Sequence, residues 1–353
     1  MRATRRQTLA AVAGIPGVAA LLTQRAMAQT AVGGYGHDLA AGGNMVVGDV
    51  DHAANGFTPE QLLTEFDYGE TSIGADGRPQ REWVITAVDK EIEIAPGVLF
   101  PAWTYNGRVP GPSLRCVEGE RLRIHFQNGG SHPHTIHLHS IHPARVDGIA
   151  GAGLVEPGEA FTYEVDAKPF GCHLYHCHAI PLKRHIHKGL YGTLIIDPDP
   201  DRHPEHRSAA LSRRHGTSEH GHWQEFVMVM NGFDTNFDDE NEFYAANSIA
   251  FAYMRKPIIV ARSRPLRVYL VNATEFDPIN SFHLHGNFYD YFDHGTTLTP
   301  TQRMVDTVMQ CQGQRGIVEI DFSAHEPGLY MFHAHQSEFA ELGWMSFFEV
   351  TDA

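Results

Sequence analysis

His-Leu-Tyr-His-Cys-His, at positions 173–178, places one cysteine directly between two histidines in a segment with the composition of a β-strand. Successive side chains of a strand point to opposite faces, so His176 and His178 share one face and Cys177 lies on the other. Imidazole and thiolate ligands suit copper, zinc or iron rather than magnesium or calcium. The segment therefore predicts two neighbouring metal sites on opposite faces of one strand.

Three other segments with a strand-like composition carry the same spacing of two histidines. The four pairs occupy positions 137/139, 176/178, 283/285 and 333/335. Each pair places two imidazoles on one face of a strand. Eight imidazoles exceed what one or two closed tetrahedral sites need, and they suit a cluster of about three metal ions with open positions. The sequence thus predicts a multinuclear site to which each half of the chain contributes two pairs.

A second kind of site is predicted on the face that carries the cysteine. His134 lies three residues before the first pair, so on a regular strand it faces away from that pair. Together with Cys177 and His185 it forms a trigonal His2Cys set of the kind found in blue copper centres. Leu190 follows His185 by five residues and has no donor atom, so the axial position is empty, which favours Cu(I) and a high potential. His187 is the alternative ligand; otherwise we expect it to face solvent.

The amino-terminal residues resemble a secretion signal. Residues 1–28 contain Arg5-Arg6, an apolar stretch that is too short to span a membrane, and an Ala-Met-Ala cleavage site at 26–28. Their removal takes away four arginines and no acidic residue, leaving 23 basic residues against 42 acidic ones and a net charge of −19. This charge argues against a nucleic-acid partner. We expect a periplasmic or secreted protein that is exported folded by the twin-arginine route.

Composition along the rest of the chain predicts two β domains. Residues 29–82 form an N-terminal arm with one helix, because Thr58-Pro-Glu-Gln supplies a cap, a proline in the first turn and a capping-box residue. Short β-rich runs separated by Gly/Pro turns fill residues 83–198. Residues 199–222 are a polar linker, and residues 223–353 repeat the order of strands and histidine pairs of the first domain. An all-β fold with a duplicated sandwich follows.

These motifs together resemble the two-domain multicopper oxidases, a laccase-like group built from cupredoxin domains. Besides the histidine pairs, the resemblance rests on Tyr-Asn-Gly-Arg-Val-Pro-Gly-Pro-Ser-Leu-Arg at 105–115 and Val-Glu-Pro-Gly at 155–158, and it extends from about residue 83 to the end. It implies two cupredoxin-like Greek-key β-sandwich domains preceded by an N-terminal arm. It also implies about four coppers per chain: one type 1, one type 2 and a binuclear type 3 site.

The resemblance assigns each candidate ligand to one of these coppers. The type 1 ligands would be His134, Cys177 and His185, with Leu190 in the axial place. The type 2 ligands would be His137 and His283, and the type 3 ligands His139, His176, His178, His285, His333 and His335. In the second domain, Asn280, Ala334, Phe339 and Trp344 stand where type 1 ligands would be. A type 1 copper is therefore expected in the first domain only.

The implied activity couples one-electron oxidation of phenolic, aromatic or metal-ion donors to the four-electron reduction of O2 to water. Small donors would deliver electrons near an exposed edge of His134 or His185. Asp147, which follows the first pair, is the candidate proton carrier. The resemblance further implies a homotrimer with trinuclear clusters between chains, and no membrane span.

Two alternatives stay open at this point. Copper-containing nitrite reductases share the domain arrangement and have a similarly long spacing between the equivalents of Cys177 and His185. However, that family has Ala in place of His178 and Asp in place of His137, so this chain has two more metal ligands. A non-catalytic blue-copper electron carrier would need only the His2Cys site.

Overall fold

The computed structural model describes residues 45–214 and 223–353, which belong to one compact unit. The predicted export signal, residues 29–44 of the predicted arm and residues 215–222 of the predicted linker lie outside these ranges. Strands dominate the described part of the chain, as predicted for an all-β fold. None of its helices is both long and apolar enough to cross a lipid bilayer.

The described part of the first half of the chain contains nine strands and four short α-helices. The strands are β1 Glu70–Ile73, β2 Pro79–Ala95, β3 Val98–Tyr105, β4 Leu114–Val117, β5 Arg121–Asn128, β6 His137–Leu138, β7 Ala160–Asp166, β8 Gly171–His176 and β9 Tyr191–Asp197. The helices are α1 His52–Asn55, α2 Pro59–Thr64, α3 Leu182–His187 and α4 Arg207–Arg213. Two sheets result, one in the order β1-β2-β5-β7 with β3 also on β2, the other in the order β4-β9-β8-β6.

The second half repeats this two-sheet plan. Its strands are β10 Gln224–Phe233, β11 Phe243–Ala246, β12 Ile258–Ala261, β13 Leu266–Asn272, β14 Ile279–Leu284, β15 Tyr289–Asp293, β16 Gln302–Val305, β17 Thr307–Cys311, β18 Arg315–Ile320, β19 Gly328–His333 and β20 Met345–Thr351. Its helices are α5 Ala252–Arg255 and α6 Ser337–Glu341. The sheet orders are β11-β10-β13-β18-β15-β16 and β12-β20-β19-β14-β17.

Alternating hydrophobic residues explain why these segments form sandwich strands. In β2, Trp83, Ile85 and Ala87 are buried, whereas Val84 between them is 57% exposed. In the neighbouring β5, Ile124 and the residues at 122 and 126 are buried in the same core. This is the period-two pattern of a sheet with one face in the core. The region predicted to be β-rich, residues 83–198, does consist largely of short strands, although β2 begins earlier, at Pro79.

Two predicted connecting segments are more ordered than expected. In the arm, α2 has the predicted capping box between Thr58 and Gln61, and β1 pairs with β2 as an edge strand. The predicted linker contains a 3-10 turn at Pro204–His206 followed by α4. Arg213 at the end of α4 is buried and donates to the carbonyl oxygen of Thr297 at 2.7 Å. The linker is thus anchored to the second half by a buried cation that composition alone does not reveal.

A buried ionic network fixes the two halves against each other. Arg115 of β4 is fully buried, 3.0 Å from Asp197 of β9 and 3.0 Å from Glu225 of β10. Glu225 also lies 3.2 Å from Arg267 of β13. Removing one partner of a buried pair leaves an uncompensated charge and costs about 3–5 kcal/mol. Residues of either half that face this interface therefore have a defined position relative to the other half.

Candidate metal centres

The segment that carries the cysteine begins at the end of β8. This strand ends at His176, so Cys177 and His178 lie just beyond it rather than within it, and the Cys177 N–H donates to the carbonyl oxygen of Leu190 at 2.9 Å. The chain then forms α3, which carries His185. The long spacing between Cys177 and His185 is therefore taken up by one short helix.

His134, Cys177 and His185 converge as a single His2Cys site. The Cys177 Sγ atom lies 3.2 Å from Nδ1 of His185 and 3.9 Å from Nδ1 of His134, and the two Nδ1 atoms are 3.2 Å apart. A trigonal site with metal–ligand bonds of about 2.0–2.3 Å has ligand–ligand distances of about 3.5–4.0 Å, so the two shorter distances would have to widen by about 0.3 Å when a metal ion binds. All three residues are buried. The donor set therefore fits a metal ion of the blue-copper type.

Burial keeps these three donors uncharged until a metal binds. It lowers the pKa of both His134 and His185 to about 4, so their imidazoles are neutral at pH 7. Burial also raises the pKa of the Cys177 thiol. The Thr135 N–H points at Cys177 Sγ from 3.3 Å. A cation would therefore have to displace the thiol proton, since metal binding requires the thiolate.

The surroundings of the His2Cys site correct two expectations. His187 does not face solvent: it is 3% exposed, and its Nε2 accepts a hydrogen bond from the Asp234 N–H at 2.9 Å. The edges of His134 and His185 are not exposed either, because the Trp103 ring lies 5.2 and 4.8 Å from their rings. The His187 side chain thus ties α3 to the second half, and Trp103 covers both ligands.

Leu190 is fully buried and belongs to the same core as Cys177. Its side chain offers no donor atom. His132 is exposed, and its ring lies 4.6 Å from that of Trp103, the residue that covers the His2Cys site.

The first half-cluster consists of His137, His139, His176 and His178, whose neighbouring rings lie 4.9–5.8 Å apart. The Nε2 atoms of His139 and His176 are 2.8 Å apart, and Nδ1 of His176 donates to the carbonyl oxygen of Cys177 at 2.9 Å. Burial lowers the pKa of His139 to about 2 and that of His176 to about 3. Neutral imidazoles whose free nitrogens face one another are suited to bind metal ions.

Asp147 lies beside the first half-cluster, as the sequence predicts. Its carboxylate Oδ1 is 3.0 Å from Nδ1 of His137, which also faces the Asp147 carbonyl oxygen at 2.8 Å. The same Oδ1 is 3.4 Å from Nε2 of His142, a residue that the sequence did not single out. This contact directs Nε2 of His137 toward the other histidines, in the manner of a carboxylate that orients a metal ligand.

The second half-cluster consists of His283, His285, His333 and His335 and repeats the first contact by contact. Nε2 of His285 and Nε2 of His333 are 2.9 Å apart, and Nδ1 of His333 donates to the carbonyl oxygen of Ala334 at 2.6 Å. Its neighbouring rings lie 4.9–6.0 Å apart. The duplication predicted from the sequence therefore reaches the level of individual hydrogen bonds.

One hydroxyl holds the last histidine of each half-cluster. Oγ1 of Thr135 accepts the His178 N–H at 2.7 Å, and Oγ of Ser281 accepts the His335 N–H at 2.7 Å. Neither residue is part of the metal-ligand pattern in the sequence. The available signal was that a hydroxyl residue stands two positions before the first histidine pair in both repeats.

In the second half, hydrophobic core replaces the His2Cys site. Ala334, Phe339 and Trp344 belong to one core cluster, and the Phe339 ring stacks on that of Tyr244 with centroids 3.9 Å apart. Asn280 is buried, with its side-chain amide donating to Thr274. These side chains provide neither a thiolate nor an imidazole, so no equivalent of the His2Cys site forms among the described residues of the second half.

The two half-clusters lie apart within one chain. Among the described residues, the metal-ligand groups that form around them contain histidines of one half only. The second half-cluster is partly exposed at His285 and His335, whereas no member of the first is exposed. One side of the first faces the second half of its own chain: Nδ1 of His139 lies 3.4 Å from the guanidinium of Arg315 on β18. Arg315 could not be identified from the sequence, because the contact crosses the interface between the two halves.

Comparisons with known proteins agree with this picture of two copper-binding domains. Two family models, both described as multicopper oxidase, match residues 87–201 and 220–353. A solved structure of a multicopper oxidase has 51% sequence identity and a TM-score of 0.77, and the match covers 86% of this chain and all of that one. A copper nitrite reductase structure from Nitrosomonas europaea, at 20% identity and a TM-score of 0.66, shares the fold over 77% of this chain and 94% of that one.

Curated relatives include both reductases and oxidases. A copper-containing nitrite reductase of Neisseria meningitidis is 26% identical over 269 residues, which cover 70% of this chain and 63% of that protein. This chain therefore matches less than two thirds of that relative's length. A laccase of Aspergillus fumigatus is 34% identical over 102 residues, which cover 28% of this chain and 17% of the laccase.

Proposed function

Because this chain belongs to the multicopper oxidase family, we propose that it is a laccase-like enzyme that couples one-electron oxidation of small donors to the four-electron reduction of O2 to water. One observation carries the proposal: besides the His2Cys site, the chain has two matching half-clusters of four imidazoles each. A carrier needs no half-cluster. Four imidazoles in each half exceed what a single mononuclear site can use.

The proposed ligand roles follow the positions of the donor atoms. His134, Cys177 and His185 would hold type 1 copper, His137 and His283 type 2 copper, and the other six histidines the type 3 pair. Bound copper would supply one-electron redox chemistry, with about four ions per chain matching the four electrons that one O2 requires. Cys177 and its neighbours His176 and His178 would link the two kinds of site through consecutive peptide bonds.

The protein groups around these sites have separate tasks in this proposal. Trp103 and Leu190 keep water from the His2Cys site, which favours the reduced state and a high potential. A donor would approach at His132, which is exposed and whose ring lies 4.6 Å from that of Trp103. Asp147 orients His137 and is the proposed proton carrier on that side of the first half-cluster.

Assembly of chains would complete the cluster. We propose a homotrimer in which the first half-cluster of one chain meets the second half-cluster of the next, since head-to-tail contacts that close form a ring. The second half-cluster lies beside an exposed apolar surface on β14 and β17, where Ile279 is 37% and Met309 63% exposed. Exposed apolar surface next to an incomplete site is typical of an interface. Export by the twin-arginine route to the periplasm or beyond remains part of the proposal.

Nitrite reduction is the competing function, because several curated relatives are copper-containing nitrite reductases. Copper analysis combined with oxygen uptake separates the two. About four coppers per chain and oxygen uptake with a phenol are expected. About two coppers with nitrite turnover would favour the reductase, and one blue copper without turnover the carrier.

His178→Ala tests the same proposal within the chain. This variant removes an imidazole of the first half-cluster but no donor of the His2Cys site, so we expect it to keep the blue absorption and to lose oxygen reduction. His206→Ala, which removes an exposed histidine elsewhere, is the matched control and should behave like the parent. Oxygen uptake by His178→Ala at the parent rate would contradict the proposal.

A further inference from the structure

The first half-cluster lines a cavity of about 250 Å³ whose other wall comes from the second half of the same chain. That wall consists of residues 272–275, which follow β13, and residues 312–313 in the turn before β18. Leu182 and Ile186 of α3 lie at its side. The cavity therefore joins the four imidazoles, the helix that carries His185 and the second half of the chain.

Glu275 is the only carboxyl group among the described residues that line this cavity. It is not part of any pattern that the sequence analysis used. Its backbone oxygen accepts a hydrogen bond from the Asn241 amide at 2.7 Å, which fixes the loop. Its carboxyl group has no hydrogen bond or ion pair with any residue of the described ranges. A half-buried carboxyl group without a partner favours its neutral, protonated form.

Few charges act on this carboxyl group. Lys183 of α3 is the nearby cation, and it opposes the effect of burial without forming an ion pair. The imidazoles of the first half-cluster face the cavity. The Asp277 carboxylate, on the same loop, accepts hydrogen bonds from the Tyr244 hydroxyl at 2.6 Å and from the Asn241 amide at 2.9 Å. Burial prevails and raises the pKa of Glu275 to about 7.

Asp147 differs from Glu275 because its carboxylate already contacts other side chains. The Asp147 carboxylate already interacts with His137 and His142, so it serves as an acceptor that orients an imidazole. The Glu275 carboxyl group has no partner among the described residues, and its pKa of about 7 leaves it partly protonated at neutral pH. An acid with a pKa near the working pH is the most effective proton donor, because it is both protonated and able to release the proton. Perturbed carboxyl groups in clefts are typical of functional sites.

We propose that Glu275 donates protons to oxygen as O2 is reduced in this cavity; the inference rests on the oxidase function proposed above. Each O2 takes up four electrons, which the donor supplies one at a time, and four protons, and it leaves as two water molecules. Glu275 gives up its carboxyl proton as an O–H bond forms and recovers one from solvent water. It acts from the second half of the same chain whose first half supplies the imidazoles.

The test compares Glu275→Gln, which keeps the shape of the side chain but cannot donate a proton, with Glu240→Gln, an exposed control on the β10–β11 loop. In stopped flow, the copper-loaded protein is reduced by a phenol without oxygen and then mixed with O2. We expect the blue absorption of Glu275→Gln to return about 10²-fold more slowly. Its copper content and its rate of reduction by phenol should match those of the parent. Glu240→Gln should match the parent throughout.

An infrared titration gives a readout that does not depend on turnover. The C=O band of a protonated carboxylic acid should be present below pH 7, disappear with a midpoint near 7 and be absent from Glu275→Gln. Glu275→Asp, which keeps the acid, should regain part of the reoxidation rate.

The outcomes distinguish this inference from the proposed function. A parent protein that takes up no oxygen would refute the oxidase function and with it the role of Glu275. A parent that reduces oxygen, together with a Glu275→Gln variant that reoxidises at the parent rate, would overturn the role of Glu275 alone. Loss of copper from Glu275→Gln would also overturn it, because the residue would then support the site structurally. The same holds if the infrared band does not change between the parent and Glu275→Gln.

Discussion

The contact between Thr135 and His178 gives the sharpest stability prediction. Thr135 is fully buried, and its hydroxyl accepts the His178 N–H at 2.7 Å while lying 3.7 Å from the Cys177 sulfur. Thr135→Val keeps the branched shape and removes the acceptor. The N–H then stays buried without a partner, which costs about 1–3 kcal/mol. We expect that loss in the free energy of unfolding of the metal-free protein, measured in urea.

The repeat provides the control for this prediction. Ser281→Ala removes the corresponding acceptor of the His335 N–H in the second half, so the stability loss should be of the same sign. Only Thr135→Val should also change the blue absorption, because Ser281 has Ala334 beside it where Thr135 has Cys177. A loss below about 0.5 kcal/mol for Thr135→Val, the range of ordinary surface substitutions, would refute the reasoning. An equal spectral change in both variants would do the same.

Two further predictions concern contacts between halves and between chains. Arg315→Met removes a guanidinium that lies 3.4 Å from Nδ1 of His139, can only donate hydrogen bonds and carries a positive charge that disfavours another cation there. We therefore expect the copper affinity of the cluster to rise while the blue centre persists, as measured by copper titration and electron paramagnetic resonance. Arg315→Lys, which keeps the charge, should bind copper like the parent, and an unchanged or lower copper affinity in Arg315→Met would contradict this reasoning. For the assembly, chains with His139→Ala and chains with His285→Ala should each be inactive, whereas co-assembly in equal amounts should restore about a quarter of the parent oxygen uptake if clusters form between chains. Mixed assemblies without any recovery would place each cluster within one chain.

Much of the metal chemistry could be predicted from the sequence, because alternation along a strand is a local property. The His-X-His spacing predicts that paired histidines share one face, and in the structure the rings of each half-cluster lie side by side. The odd spacing of His134 predicts that it faces away from His137, and its Nδ1 atom lies 3.9 Å from Cys177 Sγ. The strand pattern likewise predicts the sandwich sheets. These features depend on neighbours a few residues apart, where backbone geometry alone sets the direction of side chains.

Contacts between segments that are far apart in the chain could not be predicted from the sequence. Both His185 and His187 had suitable spacing, and only the fold of α3 turns His185 toward Cys177 while the Asp234 N–H occupies His187. The same holds for Trp103, which lies over the His2Cys site although it is distant from it in sequence.

The amino-acid sequence by itself determined the donor atoms, their grouping and the loss of one site in the second half, since ligand type and strand parity are properties of the chain. Tertiary structure alone decided which surfaces stay open. It places Arg315 and the loop of Glu275 against one side of the first half-cluster, and it leaves His285 exposed. The physical reason is that a residue's solvation, and with it the charge of Glu275, depends on packing between segments far apart in the chain.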